Sequence, residues 1–387
     1  MMRVVVISPE PTPYRAPLFD RIAARDDVDL TVVYAAHTVV ARDWQVELHH
    51  RSHFLRGFRL PGVRRLLRHD YPVTPGVWRA LARAKPEVVV ISGWSTFTSQ
   101  AAVVWCRLRR VSYVLLVESH DEGPRAGWRR AVKGAVVPRI VRPASGVLTV
   151  GSLSRESMLE RGAHPDRVGT FANTIDVAGF GERADRLAHR RPELRAGFGL
   201  EPDDVAVVCV ARLAPEKGLD TLVRAAAAAG RPVSLLLVGA GAERKGLEQL
   251  ARSLGVRTIF VGDLPWNQIV EAYVACDVFA LLSLRETWGV VVNEAAACGL
   301  PLVLSDRVGA ASDLLRSGEN GYLVPAGDAG AAADALKAIA ADPSLRGRFG
   351  ARSREIVAPW GYEPSVASFV EIVTAAAADR RQGLEPA

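Results

Sequence analysis

Short apolar runs alternate with segments of helical length along almost the whole chain. The runs are rich in Val, Leu and Ile and have the length of buried strands. They lie at residues 4–8, 30–35, 88–92, 112–118, 146–152, 205–211, 234–240, 258–263, 277–283 and 301–305. An amphipathic stretch follows each run, and repeated strand–helix units predict parallel sheets with helices on both faces.

A charged interval without strand-like runs, residues 181–204, divides these runs into two series. We therefore expect an α/β protein with two Rossmann-like domains. Residues 1–180 form the first domain, 181–204 a linker and 205–360 the second domain. Because ligands of such sheets bind at the carboxyl ends of the strands, the pattern predicts a site in a cleft where the two domains face one another.

Basic residues are concentrated in the first half of the chain. Residues 1–200 contain 31 Lys and Arg against 19 Asp and Glu, whereas residues 201–387 contain 18 against 23. Residues 51–142 alone contain 18 against 5, and VRRLLR at 63–68 places three of these cations beside apolar side chains. This uneven distribution of charge indicates an anionic partner for the first half: a membrane surface, a phosphorylated acceptor or nucleic acid. The alternative is that the cations form an ordinary solvated surface.

Localisation follows from what the sequence lacks. The first apolar run is too short for a signal peptide, and the longest uncharged stretch, residues 88–106, is interrupted by polar side chains. The cysteines lie far apart in apolar runs, which indicates core positions rather than disulfides or a zinc site: Cys106, Cys209, Cys276 and Cys298. We expect a cytoplasmic protein, with peripheral contact to the inner face of the membrane as an open option.

Two cations follow the first strand of the second series. In VARLAPEKGLDTL, Arg212 and Lys217 lie in the loop between a strand and a helix. Cations at a strand's carboxyl end, beside a helix N-terminus, suit a diphosphate. A solvated loop with two charges is the alternative. Gly239 and Gly241 follow the next strand, where they allow either close approach of a ligand or a tight turn.

The segment SLRETWGVVVNEAAACGLP contains two glutamates eight residues apart. On one continuous helix, Glu286 and Glu294 would be about 80° out of phase, so they converge only if a helix begins near Gly289 or Val290. The backbone N–H groups of Trp288, Gly289 and Val290 then point at a phosphate. The alternative is that Glu286 caps the helix and Glu294 is a buried, paired acid.

These motifs, together with ACDVFALLS and SGENGYLVP, resemble the GT-B-fold retaining glycosyltransferases of family 4 (group 1). The resemblance covers nearly the whole chain and is strongest over about 205–330. It implies the GT-B fold, in which two Rossmann-like domains face each other across a cleft. NTID (173–176) and APWGYE (358–363) resemble the family's crossings between domains, so the helix at 362–380 would return to the first domain.

The resemblance also implies roles for individual residues. Arg212 and Lys217 would neutralise the donor diphosphate, Glu286 would bind the donor sugar and Glu294 the ribose. The backbone of four residues would face the donor base: Val261, Gly262, Asp263 and Leu264. His120, in VESHDEG, would lie under the donor sugar, although Glu118 aligns with the family position equally well.

Tyr14 and Arg15 would contact the acceptor. Here the sequence departs from many members of the family, because the loop is PEPTPYR (9–15) rather than a Gly-Gly loop.

The implied reaction is transfer of a sugar, with retention of configuration, from a UDP-, GDP- or ADP-sugar to a hydroxyl acceptor. The residues indicate no metal, since no Asp-x-Asp pair follows a strand and HEXXH is absent, and we expect no cofactor. Nucleic acid is not an expected partner, because aromatic residues are not interleaved with the cations. A nucleotide-sugar 2-epimerase and a non-catalytic binding module remain the alternatives.

Overall fold

A computed structural model of the chain describes residues 1–37, 46–58, 71–118 and 134–381. The chain divides into two compact units, Met1–Asn173 with Tyr362–Ala387, and Thr174–Gly361. Each unit is built on one parallel sheet, which confirms the predicted α/β class with two Rossmann-like domains.

The first unit contains seven strands and six helices among its described residues. The strands are β1 Met2–Ser8, β2 Val28–Tyr34, β3 Arg51–Phe54, β4 Val88–Ser92, β5 Ser112–Val117, β6 Gly146–Thr149 and β7 Val168–Thr170. The helices are α1 Ala16–Ala23, α2 Val77–Ala84, α3 Phe97–Arg109, α4 Pro138–Val141, α5 Ser152–Leu159 and α15 Tyr362–Arg381. The strand order is β3-β2-β1-β4-β5-β6-β7.

Alternation along β1 shows why both faces of this sheet are covered. Val4 and Val6 belong to one cluster of buried side chains, whereas Val5 and Ile7 belong to another. Successive side chains of a strand point to opposite faces, so an uninterrupted apolar run has a buried place for every residue. Helices α1 and α15 contribute to the first cluster, and α2 and α3 contribute to the second.

Two glycines allow α15 to pack directly on the sheet. A Cβ atom on Gly146 of β6 would lie 2.7 Å from Ile372 Cγ2, and one on Gly169 of β7 would lie 2.5 Å from Ser368 Oγ. Both neighbours are side chains of α15. A larger residue at either position would push the helix away from the strands.

The second unit contains six strands and nine helices. The strands are β8 Val205–Val210, β9 Val233–Val238, β10 Thr258–Gly262, β11 Val278–Leu281, β12 Leu302–Ser305 and β13 Gly321–Val324. The helices are α6 Val177–Leu187, α7 Arg191–Phe198, α8 Leu219–Ala229, α9 Arg244–Ser253, α10 Trp266–Ala275, α11 Val290–Ala297, α12 Ala311–Leu314, α13 Ala329–Ala341 and α14 Pro343–Val357. The strand order is β10-β9-β8-β11-β12-β13.

The interval 181–204 is not a linker in the structure. It forms most of α6 and all of α7, and it lies inside the second unit, which begins at Thr174 rather than near residue 205. Arg195 of α7 is buried, and it donates hydrogen bonds to the carbonyl oxygens of Ala275, Glu201 and Asp204 and to Asp277 Oδ2. A charged side chain can therefore anchor a segment whose composition suggests solvent exposure.

No helix in the described part of the chain is both long enough and apolar enough to cross a membrane.

Candidate functional site

The strand order changes direction between β8 and β11 in the second sheet. In parallel α/β sheets, the loops that follow the two strands at such a switch point form the usual binding crevice. Arg212 and Lys217 follow β8, and Glu286 lies between β11 and α11. The structure thus places the predicted diphosphate and sugar residues at one point of the fold.

Arg212 and Lys217 each face a carboxylate. Arg212 Nη2 donates to Glu216 Oε1 at 2.6 Å. Lys217 Nζ donates to Glu286 Oε2, and both of these side chains are more than four-fifths buried. The site therefore carries its own counter-ions, Glu216 from the same loop and Glu286 from the opposite loop.

Glu216 was not predicted from the sequence, and it joins the two loops of the site. Its carbonyl oxygen accepts hydrogen bonds from the backbone N–H groups of Leu284 (2.9 Å) and Arg285 (3.4 Å). A backbone hydrogen bond within Glu216, together with the nearby Arg212 and Lys217, holds the pKa of its carboxyl below the usual range. In the sequence, only its position four residues after Arg212 indicates that Glu216 belongs to the site.

Gly218 explains how Lys217 comes so close to the opposite loop. Its φ angle is +59°, and a Cβ atom there would lie 2.2 Å from the carbonyl oxygen of Leu282. Glycine is therefore required after Lys217, because both the backbone conformation and the close contact exclude a side chain.

Helix α11 begins at Val290, as the spacing of the glutamates predicts. Gly289 precedes it with a φ angle of +95°, and Glu286 lies in the loop before it. The first N–H groups of a helix have no partner within the helix, which leaves those at Gly289 and Val290 available to a ligand. Trp288 is buried, and its Nε1 donates to Asn293 Oδ1 at 3.0 Å, so its side chain fixes the start of the helix.

Glu294 lies one turn inside α11 and is held by a tyrosine. The hydroxyl of Tyr273, in α10, donates to Glu294 Oε2 at 2.7 Å. Burial raises the pKa of the Glu294 carboxyl to about 7, and the hydrogen bond from Tyr273 opposes this rise. The sequence indicated that Glu294 needed a hydrogen-bond partner but did not identify it. Tyr273 could have been considered, because the hydroxyl of a buried tyrosine also needs a hydrogen-bond partner.

The raised pKa of Glu294 predicts a pH-dependent contribution to stability. A carboxyl whose pKa rises on folding stabilises the fold at low pH, and this stabilisation is lost as the pH rises through the folded-state value of about 7. Glu294→Gln stays neutral at every pH. Between pH 5 and pH 8, the Glu294 carboxyl should lower the free energy of unfolding of the unsubstituted chain by about 1–3 kcal/mol. The Glu294→Gln variant should not show this decrease.

Urea unfolding at both pH values, without nucleotide, measures this difference. Glu243→Gln, at an exposed position of the same unit, is the control. An equal effect of Glu294→Gln at both pH values would show that the pKa of the carboxyl is not raised by folding.

Gly239 and Gly241 make close contacts with the protein's own backbone. Added Cβ atoms would lie 2.1 Å from the carbonyl oxygen of Ala211 and 2.2 Å from that of Leu213. The two glycines therefore allow the loop that carries Arg212 to approach closely.

The predicted base loop is only partly a loop. Val261 and Gly262 are the last residues of β10, and Asp263 and Leu264 follow the strand. The Gly262 carbonyl oxygen accepts a hydrogen bond from the N–H of Gly239 at 2.7 Å, which joins this segment to the glycine loop after β9.

In the first unit, the strand order reverses between β1 and β4. Tyr14 and Arg15 follow β1, as predicted, and Arg15 is buried. Its Nη2 lies 2.8 Å from Glu118 Oε1, directly after β5, whereas Nε and Nη1 have no hydrogen-bond partner among the residues that the structure describes. Buried donors without a partner are unusual, so this guanidinium is suited to a polar ligand. His120 lies outside the described residues.

Within the described ranges, no three His, Cys, Asp or Glu side chains are grouped so that they could hold a metal ion.

Two protein families match the chain. Residues 4–174 match the model of the glycosyl transferase 4-like domain, and residues 190–356 match the model of the glycosyl transferases group 1. The D-inositol 3-phosphate glycosyltransferase of Rhodococcus erythropolis is 30% identical over 238 residues, which cover 58% of this chain and 52% of that protein. The chain thus spans about half the length of the curated relatives it matches.

Solved structures resemble the whole chain. Anabaena HepE in complex with UDP has a TM-score of 0.71 at 19% identity, and the match covers 99% of both chains. Sucrose-phosphate synthase from Thermosynechococcus elongatus has a TM-score of 0.71 at 22% identity, covering 97% of this chain and 98% of the other. These neighbours have the GT-B fold, which confirms the fold expected from the sequence.

Proposed function

Because the chain belongs to the group 1 glycosyl transferases, we propose that it transfers a sugar from a nucleoside-diphosphate sugar to a hydroxyl-bearing acceptor. The observation that carries this proposal is the ion pair of Lys217 and Glu286, with Arg212 beside it at the switch point of the second sheet. Two cations near a helix N-terminus suit a diphosphate, and a carboxylate suits sugar hydroxyls.

Donor binding would exchange the partners of this ion pair. Lys217 would leave Glu286 for a phosphate oxygen, and Arg212 would leave Glu216 in the same way. Glu286 would then accept hydrogen bonds from the hydroxyls of the donor sugar. Lys217, Arg212 and Glu286 would each gain a partner on the donor, and the Glu216 carboxylate, whose side chain is 35% exposed, would turn to solvent.

The chemical step requires stabilisation of the departing diphosphate. As the bond between the anomeric carbon and the phosphate oxygen breaks, negative charge grows on that oxygen. Arg212, Lys217 and the N–H groups of Trp288, Gly289 and Val290 would stabilise this charge. The acceptor oxygen bonds to the anomeric carbon on the same face, with retention of configuration, and its proton passes to the leaving phosphate oxygen.

The rest of the donor would bind along the same unit. Glu294 would accept hydrogen bonds from the ribose hydroxyls, with Tyr273 holding its carboxylate. The base would contact the backbone of residues 261–264. Since these cations and the helix N-terminus supply positive charge, we propose a reaction without metal or cofactor.

The acceptor would bind to the first unit, where two nitrogen atoms of Arg15 have no hydrogen-bond partner within the described ranges. The relatives named D-inositol 3-phosphate glycosyltransferases make inositol 3-phosphate the first acceptor to test. Its phosphate would suit Arg15, and Tyr14 lies next to it. His120 would lie beneath the donor sugar. The four cysteines are free, which supports a reducing, cytoplasmic compartment.

The test is a turnover assay with UDP-, GDP- and ADP-glucose labelled in the sugar, with inositol 3-phosphate as acceptor and EDTA present. We expect the label to move to the acceptor with the donor's anomeric configuration, as read by NMR. Label that changes configuration while it stays on the nucleotide, without acceptor, would instead identify a 2-epimerase. Binding of nucleotide without turnover of any donor would identify a binding module, and loss of transfer in EDTA would contradict the metal-free mechanism.

A further inference from the structure

Helix α3 carries apolar side chains on the face that points to solvent as well as on the face that points to the core. Trp105 and Cys106 are buried, whereas Phe97, Val104 and Leu108 are exposed by 42%, 47% and 68%. The exposed residues are seven and four positions apart, a spacing that places them on one side of a helix. An exposed apolar row of this kind marks a contact surface.

Helix α2 extends this row. Trp78 is 43% exposed, and its Nε1 donates to the carbonyl oxygen of Ala101 in α3 at 2.9 Å. The hydrogen bond holds the indole beside the exposed residues of α3. We call Trp78, Phe97, Val104 and Leu108 the α2–α3 face.

Only positive charges surround the α2–α3 face on its own two helices. The exposed cations there are Arg79, Arg83, Arg107, Arg109 and Arg110, the last of which caps α3, and neither helix contains an acidic residue. Residues 63–68, which contain three further arginines, lie outside the described residues.

We propose that the α2–α3 face docks the protein on an anionic lipid leaflet. Exposed apolar side chains on helices whose only charged residues are arginines suit the boundary between acyl chains and anionic headgroups. A nucleic acid would gain little from Val104 and Leu108, because aliphatic side chains cannot stack on bases. A symmetric contact with a second copy would bring the arginines of the two faces together, which like-charge repulsion opposes.

The proposal does not depend on sugar transfer, and it is tested by co-sedimentation of the whole chain with vesicles. One set contains phosphatidylcholine alone, and the other contains phosphatidylcholine mixed with phosphatidylglycerol. We expect binding to the anionic vesicles only, and we expect it to weaken as salt is added. Equal binding to both sets, or to neither, would overturn the proposal.

Two double variants identify the face. Val104→Gln with Leu108→Gln removes apolar contacts, and Arg107→Gln with Arg109→Gln removes charges. Each is expected to weaken binding to anionic vesicles about tenfold or more, since one cation near such a surface contributes about fivefold. Anionic binding that both variants retain in full would overturn the assignment.

The matched controls lie at exposed positions of the second unit. Leu254→Gln with Leu323→Gln matches the apolar variant, and Arg252→Gln with Arg348→Gln matches the charge variant. Both controls are expected to bind like the unsubstituted chain. Size-exclusion chromatography of the apolar variant adds a further check, because a dimer that this variant abolishes would assign the face to a second copy and overturn docking on lipid.

Discussion

Lys217→Gln is expected to lower kcat/KM for transfer by about 100- to 1000-fold. Lys217 is mostly buried and lies beside the place proposed for the diphosphate, where it would stabilise charge that develops as the donor bond breaks. Loss of one such donor group typically costs about 3–4 kcal/mol of transition-state stabilisation. Steady-state kinetics with the donor that passes the turnover assay measure the effect.

The control is Lys245→Gln, which removes an exposed lysine from α9 of the same unit. We expect it to leave kcat/KM unchanged. Because Lys217→Gln also leaves Glu286 without its ion pair, thermal unfolding must show that the variant is folded at the assay temperature. A folded Lys217→Gln variant with undiminished kcat/KM would remove Lys217 from the reaction.

Glu286→Gln and Glu294→Gln are expected to affect different parts of donor binding. Glu286 pairs with Lys217 in the loop before α11, whereas Glu294 lies a turn inside the helix and is bonded to Tyr273. Glu294→Gln should weaken binding of both the nucleotide sugar and the bare nucleoside diphosphate. Glu286→Gln should lower kcat about 100-fold without weakening bare nucleotide binding, because its contact with the donor requires a sugar.

Isothermal titration with the bare nucleoside diphosphate, together with kcat for each variant, separates the two roles. Tyr273→Phe serves as the companion of Glu294→Gln, since it removes only the hydroxyl that holds the carboxylate; it should weaken nucleotide binding in the same direction and less strongly. Equal losses of nucleotide affinity in Glu286→Gln and Glu294→Gln, or unchanged turnover in both, would show that the two roles are assigned wrongly.

The three strands that the apolar runs did not predict lie at sheet edges: β3, β7 and β13. Arg51–Phe54 forms β3 at one edge of its sheet although its side chains are mostly exposed. Val168–Thr170, at the other edge, has only three residues. An edge strand is held by backbone hydrogen bonds to one neighbour and needs little buried side-chain surface, so periodicity gives no sign of it.

For residues 181–204, the sequence predicted an exposed linker where the structure has helices that pack within the second unit. Many charges in a segment usually indicate exposure, but Arg195 lies buried among carbonyl oxygens and a carboxylate of the second unit. These acceptors come from residues up to 82 positions away, so composition within the segment cannot predict them.

The sequence by itself determined the parallel α/β architecture, the start of α11 and the place of Arg212, Lys217 and Glu286 at strand ends. Each of these depends on local patterns: apolar runs, the glycine before a helix, and the rule that loops after neighbouring parallel strands meet. Only the tertiary structure decided which side chains pair. Lys217 meets Glu286 across 69 positions, and Glu294 meets Tyr273 across 21, because the strand order brings separate loops and helices together. The ion pairs of the site, and with them the pKa of Glu294, follow from those long-range contacts.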